Sequence, residues 1–111
     1  MLNVTALFTL DQVERVAACL DSNTPAIISV FAGRIADTGI DPVPIMREAV
    51  RMLESLPNVE LLWASPREVL NIFQAEDAGC HIISLLPEIL DKLNLINKDL
   101  DTFSLETVNM F

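Results

Sequence analysis

Short apolar runs alternate with stretches of helical spacing along most of the chain. Leu2 to Phe8 reads as a strand, and Thr9-Leu10-Asp11-Gln12 follows as a capping box in which the Thr9 side chain accepts from the backbone of Gln12. Val13, Val16, Ala17 and Leu20 then give the stripe expected of one buried helix face. The phrase repeats. Ala26 to Phe31 predicts a second strand, a loop runs through Asp37 and Gly39, and a helix starts near Pro42 or Pro44 and stops before Pro57. Val59 to Ala64 predicts a third strand, and "SPRE" reads as another capping signature with Pro66 at the first helical position. That helix ends at Gly79, a good residue for a left-handed cap. His81 to Leu85 predicts the fourth strand, Pro87 opens a helix through about Leu95, and Ser104 to Phe111 predicts one more.

Strand and helix in strict alternation imply an α/β fold with parallel strands. The organisation expected is four βα units over residues 1–97, with residues 98–111 the start of a C-terminal helix that the sequence cuts off. The chain begins one residue before a strand and ends inside a helix, so it reads as part of something larger. Four parallel strands are too few to close a barrel filled by side chains, and as an open sheet they leave two unpaired edges.

Composition narrows the function classes. The 111 residues carry a formal charge of -9 and are 51% hydrophobic, enough to fold as one compact unit. An acidic balance of this size argues against a broad grip on nucleic acid or an anionic membrane, while leaving room for a local basic pocket. Charged residues or proline interrupt every apolar run before it reaches the length of a membrane span. Cys19 and Cys80 stand far apart without CxxC spacing, and the first residues lack a signal-peptide pattern, so a reducing cytoplasm is expected. Nucleotide-binding glycine motifs and metal-ligand spacings are absent from the sequence.

Against that background a few polar residues stand out. Alternation puts Asn3 and Thr5 on one strand face, Ser29 and Phe31 on one face of the next, and Trp63 with Ser65 on the third. In (β/α) barrels, residues projecting from the C-terminal ends of strands build the active site. Taken singly, a buried Thr or Asn is satisfied by neighbouring backbone, and Ser65 is explained as a helix cap. Arg67 is harder to explain locally, because the first turn of a helix disfavours a cation unless an anion is shared there. Arg34 follows its own strand at the equivalent point, so the two arginines make a candidate phosphate clamp. An ion pair of Arg34 with Asp37, and an exposed helical neighbour for Arg67, are the competing readings. His81 opens its strand and reads as structural; Cys80 reads as a small buried residue; Met46, Met52 and Met110 read as core fillers.

At "NVTALFTLDQV", "SVFAGRIADTG", "WASPREVL" and "AGCHIISLLPEIL" the sequence resembles the transaldolase family, including fructose 6-phosphate aldolase. The resemblance spans nearly the whole chain and implies strands five to eight of a (β/α)8 TIM barrel, that is, its C-terminal half. It implies roles position by position. Asn3 would hold substrate hydroxyls, Thr5 would orient a catalytic water, and Ser29 and Phe31 would line the substrate channel. Arg34, with Ser65 and Arg67, would bind the sugar phosphate.

The same resemblance exposes what this sequence lacks. The family's reaction runs through a Schiff base to a lysine on strand four, with an aspartate and a glutamate on earlier strands and no metal or organic cofactor. Those strands are not represented here, and Lys92 and Lys98 both follow the last predicted strand. The expectation is therefore a chain that supplies phosphate and substrate binding but is inactive alone. Its expected partners are a phosphorylated sugar and either a missing N-terminal half-barrel or a second copy of itself, with no nucleic acid or membrane. The alternative is a non-catalytic half-barrel that self-associates or serves in binding or assembly. Trp63 departs from the family's small residue; if it faced the barrel it would narrow the interior, and otherwise it fills the core.

Overall fold

In the computed structural model, which describes residues 2–111, four strands form one sheet: β1 (Leu2–Leu7), β2 (Ala26–Val30), β3 (Val59–Trp63) and β4 (Ile82–Ile83). All three pairings are parallel and the strand order is sequential. Sequential parallel strands joined by right-handed crossovers place every connecting helix on the same side. The result is a curved slab with helices behind and an open face in front, the arrangement of half a TIM barrel.

Local sequence explains most of the helices. α1 (Leu10–Cys19) starts at the expected capping box: the Gln12 N–H donates to Thr9 Oγ1 at 3.1 Å and the Thr9 N–H donates back to Gln12 Oε1 at 3.1 Å. α3 (Pro42–Met52) starts at Asp41, whose carboxylate accepts from the Val43 N–H, with Pro42 at a position that needs no donor. α4 (Leu70–Ala78) ends at Gly79, which takes the left-handed conformation at φ 87°. Several expected boundaries shift. β2 stops at Val30, and the loop expected before Asp37 contains the short helix α2 (Ala32–Ala36). Pro87 opens only one turn, α5 (Pro87–Leu90), followed by a 3-10 turn at Leu93–Leu95. The last helix, α6, begins earlier than expected and covers Leu100–Met110.

The "SPRE" cap is the clearest correction. Residues 65–69 are not helical and α4 begins at Leu70, so Ser65 is not its N-cap and Arg67 is not in its first turn. Ser65 sits at φ 54° and its hydroxyl accepts from the Arg34 N–H of α2, not from a backbone N–H of α4. Asn71 does that work instead, its Oδ1 accepting from the N–H groups of Arg67 at 2.7 Å and Glu68 at 2.9 Å.

The register divides the side chains between two faces. Ala26 with Val59, Ile28 with Leu61, and Val30 with Trp63 are cross-strand partners on the helix side, and all six are buried. Val13 of α1, Met46 and Ala49 of α3, and Ala75 of α4 pack onto them. Trp63 therefore fills the layer between sheet and helices and does not enter the barrel-side space. Asn3, Ile27 and Glu60 are in register on the opposite face, as are Ser29, Leu62 and Ile82. His81 precedes β4 and ties the sheet together: its Nδ1 accepts from the Leu61 N–H at 2.9 Å, which leaves the proton of the neutral ring on Nε2. Cys80 is half-buried.

α6 departs from this packing. None of its residues is buried, and Met110, expected in the core, is 80% exposed. The radius of gyration is 16.5 Å, against about 13 Å for a compact chain of this length, and the long dimension is 55 Å. Among the described residues, no helix is long and apolar enough to cross a membrane.

Candidate functional site

The expected residues fall into separate groups along β1, β2 and β3: Asn3 with Ser29, Phe31 with Phe8, and Arg34 with Ser65. Asn3 and Ser29 stand on neighbouring strands of the open face, and the Ser29 hydroxyl donates to Asn3 Oδ1 at 3.2 Å. This bond leaves the amide donors of exposed Asn3 able to donate elsewhere, while Ser29 itself is buried. Thr5 is exposed and lies where the β1–β2 register shifts, because β1 holds one residue more than β2 between Val4 and Leu7. Ala6 takes φ 65° at this bulge, which returns Leu7 to the buried face. Phe31 follows β2 and tilts against Phe8, with ring centroids 5.9 Å apart. Beside Phe8, a cavity of about 350 Å³ is lined by Leu10, Ile35, Ile40 and Ile45, with Thr9 and Thr38.

Two loops after β2 and β3 are joined by their backbones. The Gly33 N–H donates to the Ala64 carbonyl at 3.2 Å, and the Arg34 N–H donates to Ser65 Oγ at 3.2 Å. Ser65 thus accepts from Arg34 while its own O–H remains able to donate elsewhere. The approach requires glycine at position 33, since a Cβ there would lie 1.4 Å from the Ser65 carbonyl oxygen. This contact brings Arg34, Ser65 and Arg67 to one place.

The ion pair in this region differs from the expected one. Asp37 pairs with Arg67, Oδ2 to Nη2 at 2.8 Å, where the sequence suggested Arg34 as its partner. The hydrogen bond from Arg67, and then the charges of Arg67 and Arg34, hold the Asp37 carboxyl below the usual range against a smaller opposing effect of desolvation. The same bond raises the pKa of Arg67. A guanidinium carries five N–H donors, and this bond uses one of them. Two arginines and a serine hydroxyl in this region are donors of the kind that suit an anion.

Spacing does not single out Asn71, and it offers Asp37 only as a partner of Arg34. Asn71 is 8% exposed and sits one turn beyond Arg67, so "R-x-x-x-N" was its only sequence signal. The Asp37 to Arg67 pairing spans thirty positions and leaves no local trace. The two lysines lie outside the region: Lys92 precedes the 3-10 turn, and Lys98 pairs with Glu106 and lies 5.5 Å over the Phe103 ring. Among the described residues, no group of three or more His, Cys, Asp or Glu side chains could hold a metal ion.

Comparison with known proteins adds a family. The family described as Transaldolase/Fructose-6-phosphate aldolase matches residues 1–110. A probable transaldolase of Nitrosopumilus maritimus is 30% identical over 94 residues, covering 82% of this chain and 40% of the relative. Probable transaldolases of Herpetosiphon aurantiacus and Chelativorans sp. are 30% and 33% identical, covering 91% and 93% of this chain but 46% and 48% of their own lengths. The chain thus spans less than half the length of these curated relatives.

Proposed function

We propose that this chain, which belongs to the transaldolase/fructose-6-phosphate aldolase family, forms the substrate-gripping half of an enzyme that makes or breaks a carbon-carbon bond in a phosphorylated ketose. Arg34 and Arg67 bind the phosphate, with Ser65 donating its hydroxyl. Asn3 and Ser29 hold sugar hydroxyls, Phe31 lines the channel, and Thr5 orients a water. The observation that carries this reading is the junction of the two loops: the Arg34 N–H on Ser65 Oγ puts both arginines beyond adjacent strand ends. Guanidinium groups suit phosphate because they donate in a planar fork.

The covalent step of the parent reaction is a lysine imine, and neither Lys92 nor Lys98 stands on a strand of this sheet. Such chemistry needs a desolvated lysine facing the substrate. The chain alone is therefore expected to bind and not to react, with an N-terminal half-barrel supplying the lysine and the proton-moving carboxylates.

Two measurements test this. Fructose 6-phosphate should bind the chain at least about tenfold more tightly than fructose, and Arg67→Ala should abolish the difference. Equal affinity for the two sugars would remove the phosphate assignment. Borohydride with fructose 6-phosphate should leave the intact mass unchanged, and a trapped adduct would overturn the claim that the nucleophile is missing.

The open face also favours a second reading, in which two copies of a non-catalytic half-barrel cover each other. Half-buried Ile27, Leu62 and Ile82 on that face, and the unpaired sides of β1 and β4, give a surface for such pairing. A dimer on a sizing column combined with no preference for the phosphorylated sugar would favour it.

A further inference from the structure

We propose that Asp37 is a positioning residue that holds the Arg67 guanidinium at the anion site it shares with Arg34 while that site is empty; the inference rests on the phosphate reading above. Two cations brought together without their ligand repel each other, and long side chains relieve the repulsion by swinging into solvent. A carboxylate bonded to one of them, as Asp37 is to Arg67, removes much of that tendency.

Both ends of the pair are held by backbone. Asp37 caps α2, its N–H donating to the Gly33 carbonyl at 3.1 Å, and Thr38 beside it donates its hydroxyl to the Ile35 carbonyl at 2.6 Å. Arg67 is held by Asn71, which is nearly buried and accepts from the N–H groups of Arg67 and Glu68. With both backbones fixed, the 2.8 Å bond from Nη2 to Oδ2 determines where the guanidinium points. The charge of Arg34 also acts on Asp37, so the carboxylate lies within the field of both cations.

The opposite role would be competition, with Asp37 occupying the place of a phosphate. The geometry argues for positioning. Only Nη2 is engaged, and the remaining N–H groups of Arg67 stay available to a second anion. The side chains are 45% and 54% exposed, so the pair adds little to stability and its effect is on the pose of the arginine.

The two roles predict opposite signs. The isotope-labelled chain is titrated with inorganic phosphate at constant ionic strength, following the arginine Nε–H signals and the backbone N–H signals of residues 33–38 and 65–68. Asp37→Ala is expected to weaken phosphate binding about two- to fivefold. Asp37→Asn, whose amide oxygen still accepts from Nη2 but lacks the charge, should fall between the two. Without phosphate, Asp37→Ala should shift the Arg67 Nε–H signal while the fluorescence of buried Trp63 stays unchanged, a separation that a merely structural role would not give. If Asp37→Ala perturbs the fold, Asp37→Asn alone decides the sign. Equal or tighter phosphate binding by the Asp37 variants overturns the proposal while leaving the phosphate site intact. If the unaltered chain does not bind, or Arg67→Ala binds as well as the unaltered chain, the phosphate reading fails and this proposal fails with it.

Discussion

A methyl group on Gly33 would overlap the Ser65 carbonyl oxygen and also crowd the Ser65 hydroxyl at 2.9 Å, so the junction of the two arginine loops depends on one missing side chain. Backbone atoms cannot yield as a flexible side-chain tip can, and forcing an extra carbon into such a contact costs about 3 kcal/mol or more. Gly33→Ala is expected to lower the unfolding midpoint in urea and to break the Arg34 N–H to Ser65 Oγ bond. Denaturant titration with exchange of the Arg34 amide checks both, and a variant of unchanged stability would mean that the loops can separate freely. At this scale the sequence was legible for residue types and less so for partners. Arg34, Ser65 and Arg67 stand out because charge and polarity are unusual where they occur. That Asp37 pairs with Arg67 instead of Arg34 follows from how two loops meet in space, which spacing along one strand does not encode.

Elements whose signals are local formed where expected, and those that depend on neighbours moved. The α1 capping box and the Gly79 cap are made within a few residues, so the sequence contains all their partners. "SPRE" has the composition of a cap, yet Ser65 is drawn into the left-handed region and spends its acceptor on Arg34, which delays α4 to Leu70. β4 retains only two residues, Ile82 and Ile83, paired with Leu62 and Trp63 of β3. The β1 bulge was invisible in the sequence: an alanine at φ 65° leaves no signature of the kind glycine gives. An L-residue there costs about 1–2 kcal/mol, part of which glycine returns after its own entropy loss on folding. Ala6→Gly is therefore expected to stabilise the chain by about 0.5 kcal/mol, read as a higher urea midpoint with an unchanged slope. A loss of stability would mean that the alanine methyl group packs more usefully than its backbone is strained.

For the whole molecule, the alternation of strand and helix predicted the α/β class with parallel strands, because each βα unit covers one side of its own strand, while the half-barrel was implied by the family resemblance. What covers the other side lies outside such a pattern. Ile27, Leu62 and Ile82 on the open face are half-buried, and no residue of α6 is buried. Hydrogen exchange should map this directly. Amides of β2 and β3, paired on both sides, should exchange slowest; β1 and β4 should be intermediate; α6 should exchange close to the rate of a free helix. Protection of α6 that rises with protein concentration would show that another copy covers it, and protection independent of concentration would show that it packs within its own chain.

The sequential strand order has a kinetic consequence. Each strand closes onto its predecessor across a whole helical crossover, so every pairing joins parts of the chain that are distant in sequence. Parallel pairing of this kind has to meet its loop-closure cost before it gains contacts, which makes it slow next to helix formation. The central pair, β2 with β3 backed by α3, has the largest share of buried side chains and is the natural place to begin. Once that pair is formed, β1 and β4 each have one edge to add to, so the sheet grows outward from its centre.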